Sequence, residues 1–228
     1  MTMVLRIIAI DGPAGAGKST IARALAARLD LDYLDTGAMY RAVTFAALRA
    51  GVLDDEVAVA RLAVDVDLQV GDDGVRVDGV DATAAIRGAE VTGSVSKVAA
   101  NSVVRAELVR RQRAWAIERG GGVLEGRDIG TVVFPEAQLK LYLTASPRVR
   151  AERRVAEAGG DIDEIAAAIE ARDLLDSSRA DSPLREAEGA VLVDTSGLPI
   201  EAVLARIEEL LIGAPSPLPG TTRDKIDP

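Results

Sequence analysis

Eight consecutive residues, Gly12-Pro13-Ala14-Gly15-Ala16-Gly17-Lys18-Ser19, fit the pattern G-x-x-x-x-G-K-[ST] between an apolar run and a helical one. Glycines at these positions let backbone N–H groups turn inward around phosphates, and the start of a helix adds partial positive charge. Lys18 is placed to reach β- and γ-phosphates, the Ser19 hydroxyl to ligate Mg²⁺, and Thr20 to complete the nucleotide site, so ATP is the expected co-substrate. Asn101 is the only asparagine, so the N-K-x-D element that reads guanine cannot be present. With neither cysteine nor histidine, Ser-His-Asp and Cys-His mechanisms are excluded. What remains is charge: Arg41, Arg105, Arg127, Arg172 and Arg179 lie far apart in the chain, and a phosphoryl-transfer site needs such cations to gather two anions. Any one of them alone could equally be a solvated helix residue or a surface ion pair.

The elements that must position these groups follow from apolar spacing. Leu5 to Ile10 is a nearly continuous apolar run, as expected of a strand buried on both faces, and it ends at Asp11-Gly12. Ile21, Ala22, Leu25, Ala26 and Leu29 recur at helical spacing after Lys18. A short strand is expected near Tyr33-Leu34, and a helix from about Ala38 to Arg49, stopped by Gly51. Between about 54 and 95 the pattern changes to a helical piece followed by a hairpin around Gly71-Asp-Asp-Gly74, with Asp78-Gly79 beyond it. One long helix is then expected from about Val98 to Arg119. Strands follow at Val123–Glu125, Leu139–Leu143 and Ala190–Asp194, with helices from Ser146-Pro147 to Ser178, broken at Gly159-Gly160, and from Ile200 to Leu211. This alternation predicts an open α/β sheet with its ligands at the strands' C-terminal edge.

Composition bounds the remainder. At 228 residues the chain suits one sizeable core; 48% hydrophobic but only 3% aromatic, it must build that core from Ala, Val, Leu and Ile. A formal charge of −9 argues against a nucleic-acid polymer as partner. Lysine supplies only four of the 27 basic residues, a bias that suits bidentate phosphate binding, although biased codon usage is the more ordinary explanation for most of them. No signal-like or membrane-spanning run is present, so a cytoplasmic protein without membrane partner is expected, and a monomer. The Pro- and Gly-rich residues 213–228 are expected to be disordered.

Taken together, Ile10–Thr20, Leu34-Asp-Thr-Gly-Ala-Met-Tyr-Arg41, Ser96-Lys-Val-Ala-Ala100, Val104-Arg105 with Arg110–Arg113, Glu125-Gly-Arg-Asp-Ile-Gly-Thr-Val-Val-Phe-Pro135 and Arg172-Asp173 to Arg179 resemble the bacterial cytidylate kinases, in family order as far as about Leu211. The 125–135 stretch is far more specific than the glycine loop. The resemblance implies transfer of the γ-phosphoryl group of ATP to CMP or dCMP with Mg²⁺. It implies a three-layer P-loop fold with a parallel sheet core: one kinase domain over 1–212, carrying a small antiparallel nucleoside-monophosphate lobe at about 54–95 and a lid at about 148–180. Residue by residue, it implies that Thr36, Arg105 and Asp128 meet the cytosine, that Arg41, Arg127 and Arg179 hold the acceptor phosphate, and that Ser96, Arg172 and Asp176 contact the sugar. Arg150, Arg153 and Arg154 resemble the family's lid over ATP, and Lys18, Arg127 and Arg179 are the groups expected to act in the transfer. Position 36 is Thr where some members have Ser, and Ser19 stands where some carry Gly.

The chemistry of the acceptor fits this. The second pKa of a phosphate monoester is about 6, so at neutral pH its oxygen is already a nucleophile and no general base is needed. For Asp128, a carboxylate can accept from the cytosine 4-amino group, but a helix N-cap or turn role is the alternative that residue type and place favour by themselves. A kinase for UMP, shikimate or a coenzyme A precursor, and a non-catalytic ATP-sensing module, are the competing functions.

Overall fold

The computed structural model describes residues 5–71 and 73–213. Its centre is a strand, β1 (Arg6–Asp11), whose side chains are buried from Ile7 onward. Because successive side chains alternate across a strand, Ile7 and Ala9 enter one apolar layer while Ile8 and Ile10 enter the other. A strand buried on both faces must be covered on both, and that requirement generates three layers. The sheet adds β2 (Tyr33–Asp35), β6 (Gly121–Gly126), β7 (Leu139–Thr144) and β8 (Val191–Asp194), in the order β2-β6-β1-β7-β8 with every pair parallel.

On one face lie α1 (Lys18–Leu29) and α8 (Ile200–Gly213), which pack Ile21, Leu25, Leu204 and Ile207 onto Ile8, Ile10 and Leu141. On the other lie α2 (Thr36–Arg49), α3 (Glu56–Asp65), α4 (Ala89–Ala100) and α5 (Ser102–Arg119), around Leu34, Val43, Val98, Leu108 and Leu124. Each such fully buried aliphatic side chain contributes roughly 1.5–3 kcal/mol, and the aliphatic palette matches the composition. Between α3 and α4 a second sheet, β3 (Leu68–Gly71), β4 (Gly74–Val77) and β5 (Val80–Asp81), is antiparallel. The segment expected to form a lid consists of α6 (Pro147–Ala158) and α7 (Ile162–Ser177). Among the described residues no helix is long and apolar enough to cross a membrane.

The fold class is as the sequence predicts, with two differences. The expected hairpin has a third strand, because Asp78 (φ 49°) and Gly79 (φ 75°) form a two-residue left-handed turn that reverses the chain into β5. The single helix expected from Val98 to Arg119 is two helices, and the first starts at Ala89, inside the segment assigned to the inserted lobe. The break is Asn101. Its backbone is extended (ψ 116°), its side-chain oxygen accepts from the N–H groups of Val103 and Val104, and its Nδ2 donates to the Glu56 carbonyl at 3.0 Å. Apolar positions at helical spacing on both sides, Val95 and Val98 before it, Val104 and Leu108 after it, conceal the break in the sequence. Of the tail expected to be disordered, 213–228, Gly213 instead ends α8, and 214–228 lies outside the described residues.

Replacing Asn101 with Ala removes an N-cap and the tie to α3, and should lower stability by about 1–2 kcal/mol. Chemical denaturation should show a reduced midpoint with an unchanged slope; an unchanged midpoint would mean that the junction holds without its cap.

Candidate active site

The glycine loop leaves β1 at the C-terminal edge of the sheet and turns directly into α1. Gly12 (φ 144°) passes so close to β7 that a Cβ there would lie 2.0 Å from the Leu143 carbonyl oxygen, and Gly17 (φ 83°) takes the left-handed turn that opens α1. Lys18 is buried and donates from Nζ to the Pro13 carbonyl at 2.8 Å, across its own loop. Burial, assisted by the neighbouring Arg127 guanidinium and opposed by Glu125 and Asp11, pulls its pKa down to about 7. Ser19 and Thr20 are exposed at the helix start.

Facing the loop is a cluster centred on Asp176. Its carboxylate accepts from Ser96 Oγ at 3.2 Å, from Arg127 Nε at 2.9 Å and from Arg179, with Arg172 Nε at 4.0 Å. Burial works to raise the pKa of Asp176, but the surrounding guanidiniums prevail and hold it below the ordinary carboxylate range. Burial and the charge of Arg127 push Arg172 in turn down to about 10. Arg127 also donates to the Gly12 carbonyl, so one side chain joins the loop to the cluster. Arg41 pairs with Asp35 at 2.7 Å. The Nε atoms of Arg41, Arg172 and Arg179 are buried without a hydrogen-bond partner among the described residues. Buried donors left open in this way are what an absent anion would satisfy.

Beside the cluster, Arg105 and Asp128 form an ion pair with both side chains buried. Arg105 also donates to the Ala99 carbonyl at 3.2 Å and lies 5.5 Å from the centroid of the Tyr40 ring. Its Nε and the Tyr40 hydroxyl have no partner among the described residues. Thr36 Oγ1 donates to the Glu125 carbonyl at 2.6 Å. Asp128 does precede a wide π-type turn (Ile129–Val133), but its side chain makes no capping bond there. The turn is held instead by Asp11, whose two oxygens accept from the N–H groups of Ile129 (2.8 Å) and Gly130 (2.7 Å).

Of the three arginines expected in a lid, two reach the glycine loop. Arg150 is buried, donates to Ala145 O (3.0 Å) and Ala14 O (3.1 Å), and pairs with Asp173. Arg153 donates to Gly15 O at 3.3 Å and to Thr195. Arg154 stands apart, exposed and paired with Glu157 one turn along α6.

Several residues in this site escaped the sequence reading as site residues. Glu125, the penultimate residue of β6, is buried with Asp35 as its register partner; burial and the Asp35 charge raise its pKa, opposed by Lys18 and by the Ser19 and Tyr33 hydroxyls. Asp173 accepts from the Ala14 N–H at 3.5 Å while holding Arg150. The available signal was a lone acid closing an apolar strand, Val123-Leu124-Glu125, with no alternation to explain it.

A glycine loop at the C-terminal edge of a doubly covered parallel sheet, opposite buried arginines, defines a P-loop kinase of the small-acceptor type. A family model described as cytidylate kinase matches residues 8–212, and the chain belongs to that family. It is 51% identical over 211 residues to a cytidylate kinase of Desulforamulus reducens, covering 89% of this chain and 95% of that one. It is 50% identical over 211 residues to a cytidylate kinase of Rhodococcus opacus, covering 88% and 92%. A bifunctional pantoate ligase/cytidylate kinase of Prochlorococcus marinus is 49% identical over 216 residues; the match covers 90% of this chain but spans only 44% of that relative's length. A solved Thermus thermophilus structure shares the fold, with a TM-score of 0.50 at 20% identity, covering 91% of this chain and 96% of that one.

The lowered pKa of Lys18 has a measurable sign. With a pKa pulled down to about 7, Lys18 should be largely neutral in the free protein at pH 8, and because phosphates placed beside it favour the ammonium, binding should take up a proton. Calorimetry of ADP binding in two buffers of different ionisation enthalpy should show uptake approaching one proton at pH 8, fading toward pH 6, and lost in Lys18→Arg. Equal uptake in that variant would assign the proton to another group.

Proposed function

We propose that the chain transfers the γ-phosphoryl group of ATP to CMP or dCMP, giving ADP and CDP or dCDP. The observation that carries this reading is the set of buried, unpartnered guanidinium nitrogens beside the Arg105–Asp128 pair: an anion seat next to a donor–acceptor pair of the right sense for cytosine. A carboxylate accepts from the cytosine 4-amino group, which uracil lacks, and a guanidinium donates to ring acceptors. Arg41, Arg127 and Arg179 then hold the acceptor phosphate, Ser96, Arg172 and Asp176 contact the sugar, and Thr36 lies at the base. ATP phosphates lie in the 12–20 loop against Lys18, with Arg150 and Arg153 over it. Arg127, bonded to Gly12 and to Asp176, spans the two phosphates and is placed to meet charge as it shifts between them. The acceptor oxygen needs no base, so positioning and charge suffice.

The donors available also suit Mg²⁺. Among the described residues no cluster of three or more acids could cage a metal, but the exposed Ser19 hydroxyl beside the Glu125 carboxylate offers hard oxygen to an ion that arrives on phosphates and retains water. When bound, such an ion neutralises phosphate charge during transfer.

An ADP-release assay with Mg-ATP and a panel of CMP, dCMP, UMP, AMP and shikimate tests this. CMP and dCMP should accelerate release above the others, and no acceleration by either would overturn the reading. Within that panel Asp128→Asn should lower the CMP/UMP ratio of kcat/KM roughly ten- to a hundredfold. The ratio is the decisive quantity, because leaving Arg105 with a neutral partner lowers both rates together.

A further inference from the structure

We infer that Tyr33 is a positioning residue for the metal–nucleotide seat, acting through Glu125; this rests on the phosphoryl-transfer reading of the 12–20 loop. Strand register supplies the starting point. In the β2–β6 pair Tyr33 lies opposite Val123 and Asp35 opposite Glu125, so the two-residue alternation puts Tyr33, Val123 and Glu125 on the face covered by α1, the helix that begins with Lys18 and Ser19, while Asp35 ends β2 and caps α2. The Tyr33 hydroxyl donates to Glu125 Oε1. Above its ring, 4.8 Å from the centroid, lies the guanidinium of Arg23, one helical turn after Ser19. Tyr33 is thus clamped between helix and sheet with its hydroxyl on the Glu125 carboxylate, close to where α1 begins.

A carboxylate has two oxygens, and a glutamate reaches them through three rotatable bonds. With one oxygen held by the phenol, rotation of the carboxylate is restricted and the other oxygen stays available to a cation that arrives with phosphates at the start of α1. Released, Glu125 would sit beside the like charge of Asp35 with the Lys18 amine near it. The favourable response would be to swing onto Lys18, which removes the carboxylate from the cation and the lysine from the phosphates together. A purely structural tyrosine would pack its ring in the same way, and the hydroxyl would then carry no consequence for the metal.

Tyr33→Phe removes that hydroxyl and keeps the ring. The test is Mn²⁺ binding to the protein–ADP complex, read by electron paramagnetic resonance, which needs neither turnover nor an acceptor. Wild type should bind Mn²⁺ in this complex, and Tyr33→Phe should weaken the affinity on the order of tenfold, the usual scale for groups that orient a metal's ligands. In a Glu125→Gln background the same change should add nothing. An affinity within about twofold of wild type would overturn the inference, whatever happens to melting. Equal losses in both backgrounds would overturn action through Glu125, and a wild-type ADP complex that holds no Mn²⁺ would overturn the seat itself. Because CMP takes no part, failure of CMP phosphorylation would leave this outcome readable.

Discussion

Guanidiniums repel one another, and this fold brings Arg127, Arg172 and Arg179 around a single carboxylate. Two unit charges 4 Å apart interact by about 4 kcal/mol at an effective dielectric constant near 20, so three uncompensated arginines could not share a partly buried cleft. Asp176 makes the arrangement possible. Its carboxylate is almost wholly enclosed, takes Ser96, Arg127 and Arg179 at once, and remains ionised although burial favours the protonated acid. The cluster accordingly has an excess of positive charge with its geometry fixed in advance, which is the state an anion site must hold to spend little on reorganisation when the anion enters.

The same economy extends to the glycine loop. Its carbonyls are covered by cations: Lys18 on Pro13, Arg127 on Gly12, Arg150 on Ala14 and Arg153 on Gly15. Cations from α1, the 126–133 segment and α6 therefore converge on one loop, and Asp173 ties α7 to it. A chain with no histidine and no cysteine concentrates its chemistry in backbone geometry and arginine placement, the resources that transfer between two phosphates requires.

How much of this was legible in sequence depended on the range of the interaction that fixes each feature. Buried parallel strands declare themselves in continuous apolar runs, and α1 is set by spacing from Ile21 to Leu29, so sheet, loop and three layers follow directly. The break at Asn101 did not, because apolar positions at helical spacing on both sides read as one helix. The Asp128 carboxylate was ambiguous for a different reason: residue type fits a cap, and only its position beside Arg105, 23 residues earlier in the chain, shows that it makes an ion pair instead. Tyr33 and Glu125 were invisible together, since their contact exists only because β2 pairs with β6 across 92 residues of chain. Arg154 shows the converse limit: resemblance alone groups it with Arg150 and Arg153, while helical geometry turns it outward.

The most direct measurement is the affinity of an Asp176→Asn variant for CMP, by calorimetry without ATP. Removing a negative charge from an anion site should strengthen phosphate binding by Coulomb attraction alone, so the sign of the change separates two physical pictures. If Asp176 organises the arginines, CMP should bind at least about tenfold more weakly, a loss of about 1.4 kcal/mol or more. Unchanged or tighter binding would contradict that role and leave the cluster as a charge reservoir that needs no organising centre.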